Sequence, residues 1–308
     1  MKDVIVVLNP AAKGGRTGRG WPDVAARLRR AGLDFDTVLT DRRGAAVKLA
    51  RAAVREGRPV IVAAGGDGTI NEVANGFFEA GRPITTGSRL AILPMGTGGD
   101  FRRMWRLPHD VEALAAVIAA RRTRRLDAGL VTCATEGGAT ATLAFLNVAD
   151  AGIGGEVVRR VNDGFRLVNG SITFAAASVL TGLGWKNRRL HAVIDGQHLD
   201  VVAQQVVVAN CRFYGGGMMI APAAIPDDGL LDVVVAGDLS VVEAAQAMLR
   251  YRRGTHLQGP GGKISHRLAR RVELTSPEVV RLDVDGEQPG ILPATFEILP
   301  AAIEVVVP

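Results

Sequence analysis

Several acidic and glycine-rich positions of this 308-residue chain have the types and neighbours that phosphate chemistry requires. Gly65-Gly66-Asp67-Gly68-Thr69 follows an apolar run at residues 59–64. It precedes Ile70-Asn71-Glu72-Val73-Ala74, where apolar residues fall at helical spacing. A glycine turn between a strand and a helix start offers backbone N–H groups, close approach and a favourable dipole to an anion. Asp67 would repel a bare phosphate, so its presence points to a metal ion or an ordered hydrogen-bond network beside it. The same pattern also fits an ordinary strand-to-helix turn that binds nothing. No Gly-Lys-Ser/Thr follows, which excludes a Walker A loop, and no G-x-G-x-x-G fingerprint follows a strand.

Three more segments of this kind end predicted strands. Asn9-Pro10 opens a flexible basic loop through residues 11–16, where a nucleotide would lie. Thr40 closes the second strand and brings a hydroxyl within reach of an adenine or ribose. Pro94-Met95-Gly96-Thr97-Gly98-Gly99-Asp100 supplies backbone donors, a hydroxyl and a carboxylate. Any one of these reads as a turn; four on one sheet edge read as a nucleotide site, with Asp67 and Asp100 available to a metal. Further on, Asp227-Asp228-Gly229 precedes a strand and fits either a plain Asx turn or a hard-cation loop of carboxylate and carbonyl oxygens. Asp285-Gly286-Glu287 reads as a hairpin tip that needs no function of its own. A glutamate directly after it, projecting into a cleft, can accept a proton from an attacking hydroxyl.

The elements that must position these residues fall into two textures. Residues 3 to about 125 alternate strand and helix: strands at 3–8, 36–40, 59–64 and 90–93, and helices at 21–31, 45–56, from Ile70, and at 111–120. This predicts an α/β domain with a doubly wound, mostly parallel sheet and ligands at the carboxyl ends of its strands. After about residue 128, strand-like runs dominate at 141–148, 189–194, 201–209, 230–236, 272–275 and 279–284. Asp195-Gly196 and Asp285-Gly286 favour tight hairpins between them. Helical patterns remain near 156–184 and 240–252. The expected organisation is a nucleotide-binding α/β domain over 1–127, a largely antiparallel β-sandwich over 128–294, and a segment 295–308 returning to the first domain.

Composition bounds the function. A hydrophobic fraction of 47% with 38 glycines fits a globular α/β protein. Cys133 and Cys211 are far apart and lack metal spacing, and no signal peptide is visible, so a reduced cytoplasmic setting is expected. Net charge is +6, yet seven basic and no acidic residues fall between Arg250 and Arg271, leaving −1 for the rest. A second cluster is Arg121, Arg122, Arg124 and Arg125. Such clusters form either a solvated basic face or a surface for anionic membranes. Nucleic acid is disfavoured, because few aromatics interleave the charges and no recognition motif is present. The charge-free stretch 167–185 is too polar for a membrane span; it reads as a buried helix or as a wall for an apolar substrate.

Taken together, residues 9–10, 65–76, 93–101, 214–222, 227–235 and 284–290 resemble the diacylglycerol kinase catalytic-domain family, which includes sphingosine and ceramide kinases, and within it the bacterial soluble branch. The glycine loop is shared with NAD kinases; the 227–235 and 284–290 segments in this order are more specific. The resemblance implies ATP-dependent phosphorylation of a lipid hydroxyl, with Mg2+. It assigns nucleotide contacts to Asn9, Thr40, Gly65, Gly66, Asp67, Gly68, Thr69, Ile70, Asn71 and Thr97. Asp67 and Asp100 would join the magnesium network and catalysis. Asp228, with the carbonyls of Ile225 and Leu230, would hold a further magnesium, and Glu287 would be the general base. The implied partner is a lipid at a membrane surface, met peripherally, and a homodimer is compatible with it. The alternatives are a kinase of a soluble substrate, as in NAD kinase, or a non-catalytic binding protein. The family's usual Asn-Pro-x-Ser-Gly reads Asn9-Pro10-Ala11-Ala12-Lys13 here, and its usual Gly-Thr-x-Asn-Asp reads Gly96-Thr97-Gly98-Gly99-Asp100.

Overall fold

A computed structural model describes residues 2–96, 98–164, 170–259 and 261–308. The chain divides into two compact units, Met1–Leu126 with Ala301–Pro308, and Asp127–Pro300. The first runs β1 (Val4–Leu8), α1 (Arg16–Arg30), β2 (Phe35–Leu39), α2 (Ala45–Arg55), β3 (Val60–Gly65) and α3 (Asp67–Asn75). A short hairpin of β4 (Phe78–Glu79) and β5 (Arg82–Pro83) leads to β6 (Arg89–Pro94), α4 (Asp100–Trp105) and α5 (Val111–Ala120).

β1 pairs in parallel with β2 and β3, and β3 with β6, giving the order β6-β3-β1-β2. β1 and β3 are buried along their whole length, which is why they read as unbroken apolar runs. Because the four strands point the same way, the segments after Leu8, Leu39, Gly65 and Pro94 gather at one edge. Val305, near the end of the chain, pairs in parallel with Leu90 and adds to this sheet.

Two helices start earlier than the sequence pattern suggested. α1 begins at Arg16 rather than 21, because Gly14 and Gly15 at φ 65° and 82° turn the chain directly into it. The flexible basic loop expected at 11–16 is instead a closed turn, with the Gly15 N–H on the Ala11 carbonyl at 3.0 Å. α3 begins at Asp67 rather than Ile70, so Gly68 and Thr69 belong to its first turn.

The second unit contains most of β7 (Thr123–Ala134), then β8 (Thr140–Phe145), β9 (Val148–Gly152), α6 (Ile153–Asn162), α7 (Gly170–Gly184), β10 (Arg188–Ile194), β11 (Gln197–Ala203) and β12 (Gln205–Ala209). There follow a short hairpin of β13 (Phe213–Tyr214) and β14 (Met218–Met219), β15 (Leu231–Ala236), α8 (Val241–Tyr251), β16 (Ile264–Ala269), β17 (Arg271–Thr275), β18 (Leu282–Val284) and the long β19 (Ile291–Val306). One antiparallel sheet has the order β16-β15-β12-β9-β18. The other follows β11-β10-β17-β19, again antiparallel, with β7 and β8 beside it. Strand alternation sends Ala149, Ala151, Val206, Val208 and Val233 into a core shared with Leu190, Phe145 and Phe296. Val148, Val207 and Val234 face the opposite way, against Ile220 and, from α8, Ala247 and Tyr251.

Residues 201–209 read as one strand but form two. β11 ends at Ala203, and the Gln204 N–H donates to the Ala236 carbonyl at 2.8 Å, so β12 enters the other sheet. The run 141–148 likewise divides between β8 and β9. The basic segment 250–271 carries a strand the pattern did not suggest: β16 is a sheet edge, where exposed Ser265 and Arg267 are tolerated.

Candidate active site

The carboxyl edge of the parallel sheet is knitted from three of the four expected loops. The Asn9 side chain accepts the Ala11 N–H at 3.0 Å and donates to the Thr69 hydroxyl at 3.1 Å, tying the first loop to α3. Gly65 leaves room for that hydroxyl: a Cβ there would lie 2.5 Å from it. The loops after β3 and β6 touch backbone to backbone, since a Cβ on Gly96 would lie 2.2 Å from the Gly66 Cα. Asp67 bridges the same two loops. One of its carboxylate oxygens accepts the Gly99 N–H at 2.8 Å, while the other is buried and has no hydrogen-bond partner among the described residues. Asp67 opens α3, whose first amides have no intrahelical acceptor. Free donors and an orphaned acidic oxygen therefore share one helix start, an arrangement suited to a phosphate with its divalent cation. Among the described residues no cluster of three acidic, His or Cys side chains forms. A magnesium ion here would be shared with phosphate oxygens and water, as that ion commonly is.

The other expected contacts have different environments. Asp100 opens α4, is buried, and pairs with Arg103 at 3.0 Å. Thr40 is buried just past β2, its N–H on the Leu8 carbonyl at 2.9 Å. Ile70 contributes no free donor: its side chain is in the core and its N–H is held by the Gly66 carbonyl at 3.0 Å. Asn71 is buried and accepts from the Asn75 side chain at 3.1 Å. Thr97 lies outside the described residues. Glu72, inside the 65–76 segment but given no role there, accepts the Gly44 and Ala46 N–H groups at 2.9 and 3.2 Å and so caps α2 from α3.

In the second unit, Glu287 closes a two-residue hairpin with Asp285 and Gly286 at φ 50° and 87°. The Asp285 tip does far more than turn the chain. Its carboxylate accepts the N–H groups of Leu146, Asn147 and Val148 at 2.9, 3.1 and 2.9 Å, and its own N–H donates to the Val148 carbonyl. Asp283 takes the Gly286 N–H at 2.8 Å. Two aspartates thus fix the backbone that carries Glu287. Asp283 is buried, and burial pushes its carboxyl up to about 7. Opposite it in register is Asp150, 1% exposed, its carboxyl raised well above the ordinary range by burial and then by Asp283. Lone acids inside the apolar runs of β9 and β18 were the available sequence signal for this pair.

The 225–230 loop is built as an Asx turn. Asp228 accepts the Leu230 N–H at 3.0 Å, and buried Asp127 accepts the Gly229 N–H at 2.7 Å. Ile225 is exposed. Of the stretch 167–185, residues 167–169 lie outside the described ones. The rest is largely α7, which buries Ala177 and Thr181 and exposes Val179, Leu180 and Leu183. No described helix is long and apolar enough to cross a membrane.

Two families match this chain. The diacylglycerol kinase catalytic domain matches residues 3–131, and the YegS C-terminal NAD kinase beta sandwich-like domain matches residues 147–307. A diacylglycerol kinase of Staphylococcus haemolyticus (strain JCSC1435) is 30% identical over 304 residues, spanning 98% of this chain and 87% of that one. One from Staphylococcus carnosus (strain TM300) is 27% identical over 304 residues, spanning 98% and 94%. A solved structure of a diacylglycerol kinase from Bacillus anthracis str. Sterne shares the fold, with a TM-score of 0.71 at 23% identity over 99% of this chain and 96% of that one.

Proposed function

Because the chain belongs to the diacylglycerol kinase family of phosphotransferases, we propose that it transfers the γ-phosphate of ATP to a hydroxyl of a lipid, diacylglycerol or a close relative. The observation that carries this reading is the start of α3, where amides without an intrahelical acceptor stand beside an oxygen of Asp67 that has no partner among the described residues. The phosphates lie against those amides, and Asn9, Gly66 and Gly96 keep the surrounding loops closed on one another. When bound, magnesium offsets the charge of the transferring group. Asp67 would hold it through the free oxygen, and buried Asp100 belongs to the same acidic edge. A second magnesium at Asp228, with the carbonyls of Ile225 and Leu230, is part of the reading.

Glu287 takes the proton of the lipid hydroxyl as its oxygen bonds to the γ-phosphorus and the bond from that phosphorus to the ADP oxygen breaks. The product pair is ADP and a lipid phosphomonoester. The role of Asp285 and Asp283 is to hold Glu287 in place, and positioning is where most of the rate of such transfers originates. The protein meets its lipid peripherally. Exposed Val179, Leu180 and Leu183 of α7, Val241, Val242 and Leu249 of α8, and the basic residues of 250–271 supply apolar and cationic contacts to an anionic bilayer.

The family description that matches the second unit names an NAD kinase-like sandwich, so phosphorylation of a soluble dinucleotide is the competing outcome. The test is labelled ATP with magnesium, a panel of lipids in mixed micelles, and NAD without lipid. The expected result is a labelled lipid, with Glu287→Gln slower by about 100-fold or more. Labelled NADP without lipid would overturn the substrate, and an undiminished Glu287→Gln rate would overturn the base.

A further inference from the structure

A cavity of about 290 Å³ opens in the second unit between α6, the end of α7, the start of β10 and the approach to β18. Four cationic side chains line it, Arg160, Lys186, Arg188 and Arg281, against the single carboxylate Glu156. That carboxylate is already engaged by Arg159 at 2.6 Å and Arg281 at 3.2 Å. Arg281 also reaches Glu136 at 2.9 Å, and Arg188 pairs with Glu278. Arg160 and Lys186 have no carboxylate partner among the described residues.

The wall holds polar groups that have no hydrogen-bond partner among the described residues. Thr181 is 3% exposed and its hydroxyl has no hydrogen-bond partner. The Trp185 indole N–H and the Arg188 Nε are likewise buried and unpartnered. The Arg188 guanidinium lies 5.3 Å from the Trp185 ring centroid, which holds the two side chains together. Four cationic side chains against one carboxylate, two of those cations unneutralised, leave the cavity with surplus positive charge, which calls for a ligand rich in acceptor oxygens. A carboxylate supplies two such oxygens; a phosphate supplies three or four and matches guanidinium geometry.

We infer that this cavity is a binding site for a phosphate-type anion, separate from the transfer hairpin. The separation is set by the β9–β18 ladder. The Gly152 N–H meets the Arg281 carbonyl at one end, and the Asp285 N–H meets the Val148 carbonyl at the other. Those ends are four residues of strand apart, about 13 Å. Two sources can present this chemistry: a soluble phosphate compound, or the phosphodiester headgroup of an anionic lipid. Leu180 and Leu183, exposed on α7 either side of Thr181, place apolar surface next to the cavity, as a lipid headgroup requires. The inference does not depend on the kinase reading, because binding needs neither ATP nor turnover.

The experiment uses the full chain without nucleotide and has two arms. Calorimetric titration with inorganic phosphate at low salt tests the soluble source. Co-sedimentation with phosphatidylglycerol–phosphatidylcholine vesicles, against phosphatidylcholine alone, tests the lipid source. Arg160→Gln with Lys186→Gln removes the two unpaired cations. Saturable phosphate binding by the wild type, weakened at least tenfold in the double variant, supports the site. Loss confined to the phosphatidylglycerol arm also supports it and assigns the headgroup. No binding of either probe by the wild type, or equal binding by wild type and double variant, overturns it.

Discussion

Asp150 of β9 and Asp283 of β18 stand directly opposite each other in an antiparallel ladder, both buried, on the sheet face away from the sandwich core. Two carboxyls so placed cannot both ionise cheaply. Desolvation raises Asp283 to about 7, and Asp150 is raised well above the ordinary carboxylate range. An acid whose folded value exceeds its unfolded value contributes stability that is complete below about pH 4. That contribution is lost as the pH climbs through the folded value. The window is therefore pH 4 to 7 for Asp283 and extends higher for Asp150. Buried His256, whose value is lowered by desolvation, acts oppositely below about 6.5. The informative quantity is thus the difference between wild type and Asp283→Asn, which keeps an oxygen for the Gly286 N–H. Each raised unit is worth about 1.4 kcal/mol at most, and 1 kcal/mol moves Tm by about 2–4 °C in a protein of this size. Between pH 5 and 8 the wild type should lose several degrees that the variant keeps. Parallel Tm profiles would sink the idea.

The neighbouring Asp285 gathers three backbone N–H groups from residues 146–148. Asp285→Ala leaves those donors without their acceptor, at about 1–3 kcal/mol each where they are buried. It also puts alanine at a φ of 50°, which costs roughly a further 1 kcal/mol. The expected loss is about 3–5 kcal/mol in denaturant unfolding, with phosphoryl transfer falling at least tenfold. ATP affinity should hold, since the hairpin and the start of α3 belong to different units. Asp285→Asn keeps one acceptor oxygen and tolerates the positive φ, so it should fall between the two. A wild-type unfolding midpoint in the alanine variant would contradict the anchoring role.

This anchor also marks where the sequence becomes opaque. The β3–α3 junction was legible because a charge-free strand, two glycines and helical spacing lie within a dozen residues. Asp285 takes its amides from a segment 137–139 positions away, and only tertiary structure brings the two together. The first turn of α3 reads as loop in the sequence because Gly68 and Thr69 are poor helix formers. Their helical state comes from tertiary ties, the Thr69 hydroxyl to Asn9 and the Asp67 carboxylate to Gly99. Residues 201–209 looked like one strand because β11 and β12 are apolar on either side of Gln204, and apolarity does not say which sheet a strand joins. The hairpin that carries Glu287 was legible as a motif; the aspartates that hold it were not.

The contact between Gly66 and Gly96 gives a sharper test of the proposed nucleotide edge. A Cβ on Gly96 would lie 2.2 Å from the Gly66 Cα and 3.1 Å from its nitrogen, and neither atom can rotate away. Gly96→Ala must push apart the loops that present the first amides of α3. Destabilisation of about 1–3 kcal/mol is expected from overpacking of this kind, with ATP affinity down at least tenfold by calorimetry. Gly20→Ala is the control: its Cβ meets nothing within 4 Å inside α1, and alanine is the better helix former. Equal ATP affinity in the two variants would show that the loop contact does not shape the site.

Gly99 occupies the position where the resembling family usually carries asparagine, and the backbone there is ready for either residue. Its φ of 71° and ψ of 33° are left-handed, a conformation asparagine adopts more readily than other non-glycine residues. An added Cβ would meet nothing closer than the Arg102 Nε at 3.8 Å, an ordinary contact. The Gly99 N–H that holds Asp67 is a main-chain group, so it survives the substitution. Gly99→Asn should therefore fold with stability within about 1 kcal/mol of wild type. It should also transfer phosphate at least as fast, because its amide adds a side-chain partner at the start of α4, next to Asp100. Gly99→Val puts a β-branched side chain at the same φ and should lose both stability and the Asp67 contact. Thermal unfolding and magnesium-dependent transfer rates measured on both variants decide it: a Gly99→Asn protein as unstable as Gly99→Val would mean that this loop requires glycine for a reason other than its backbone angle.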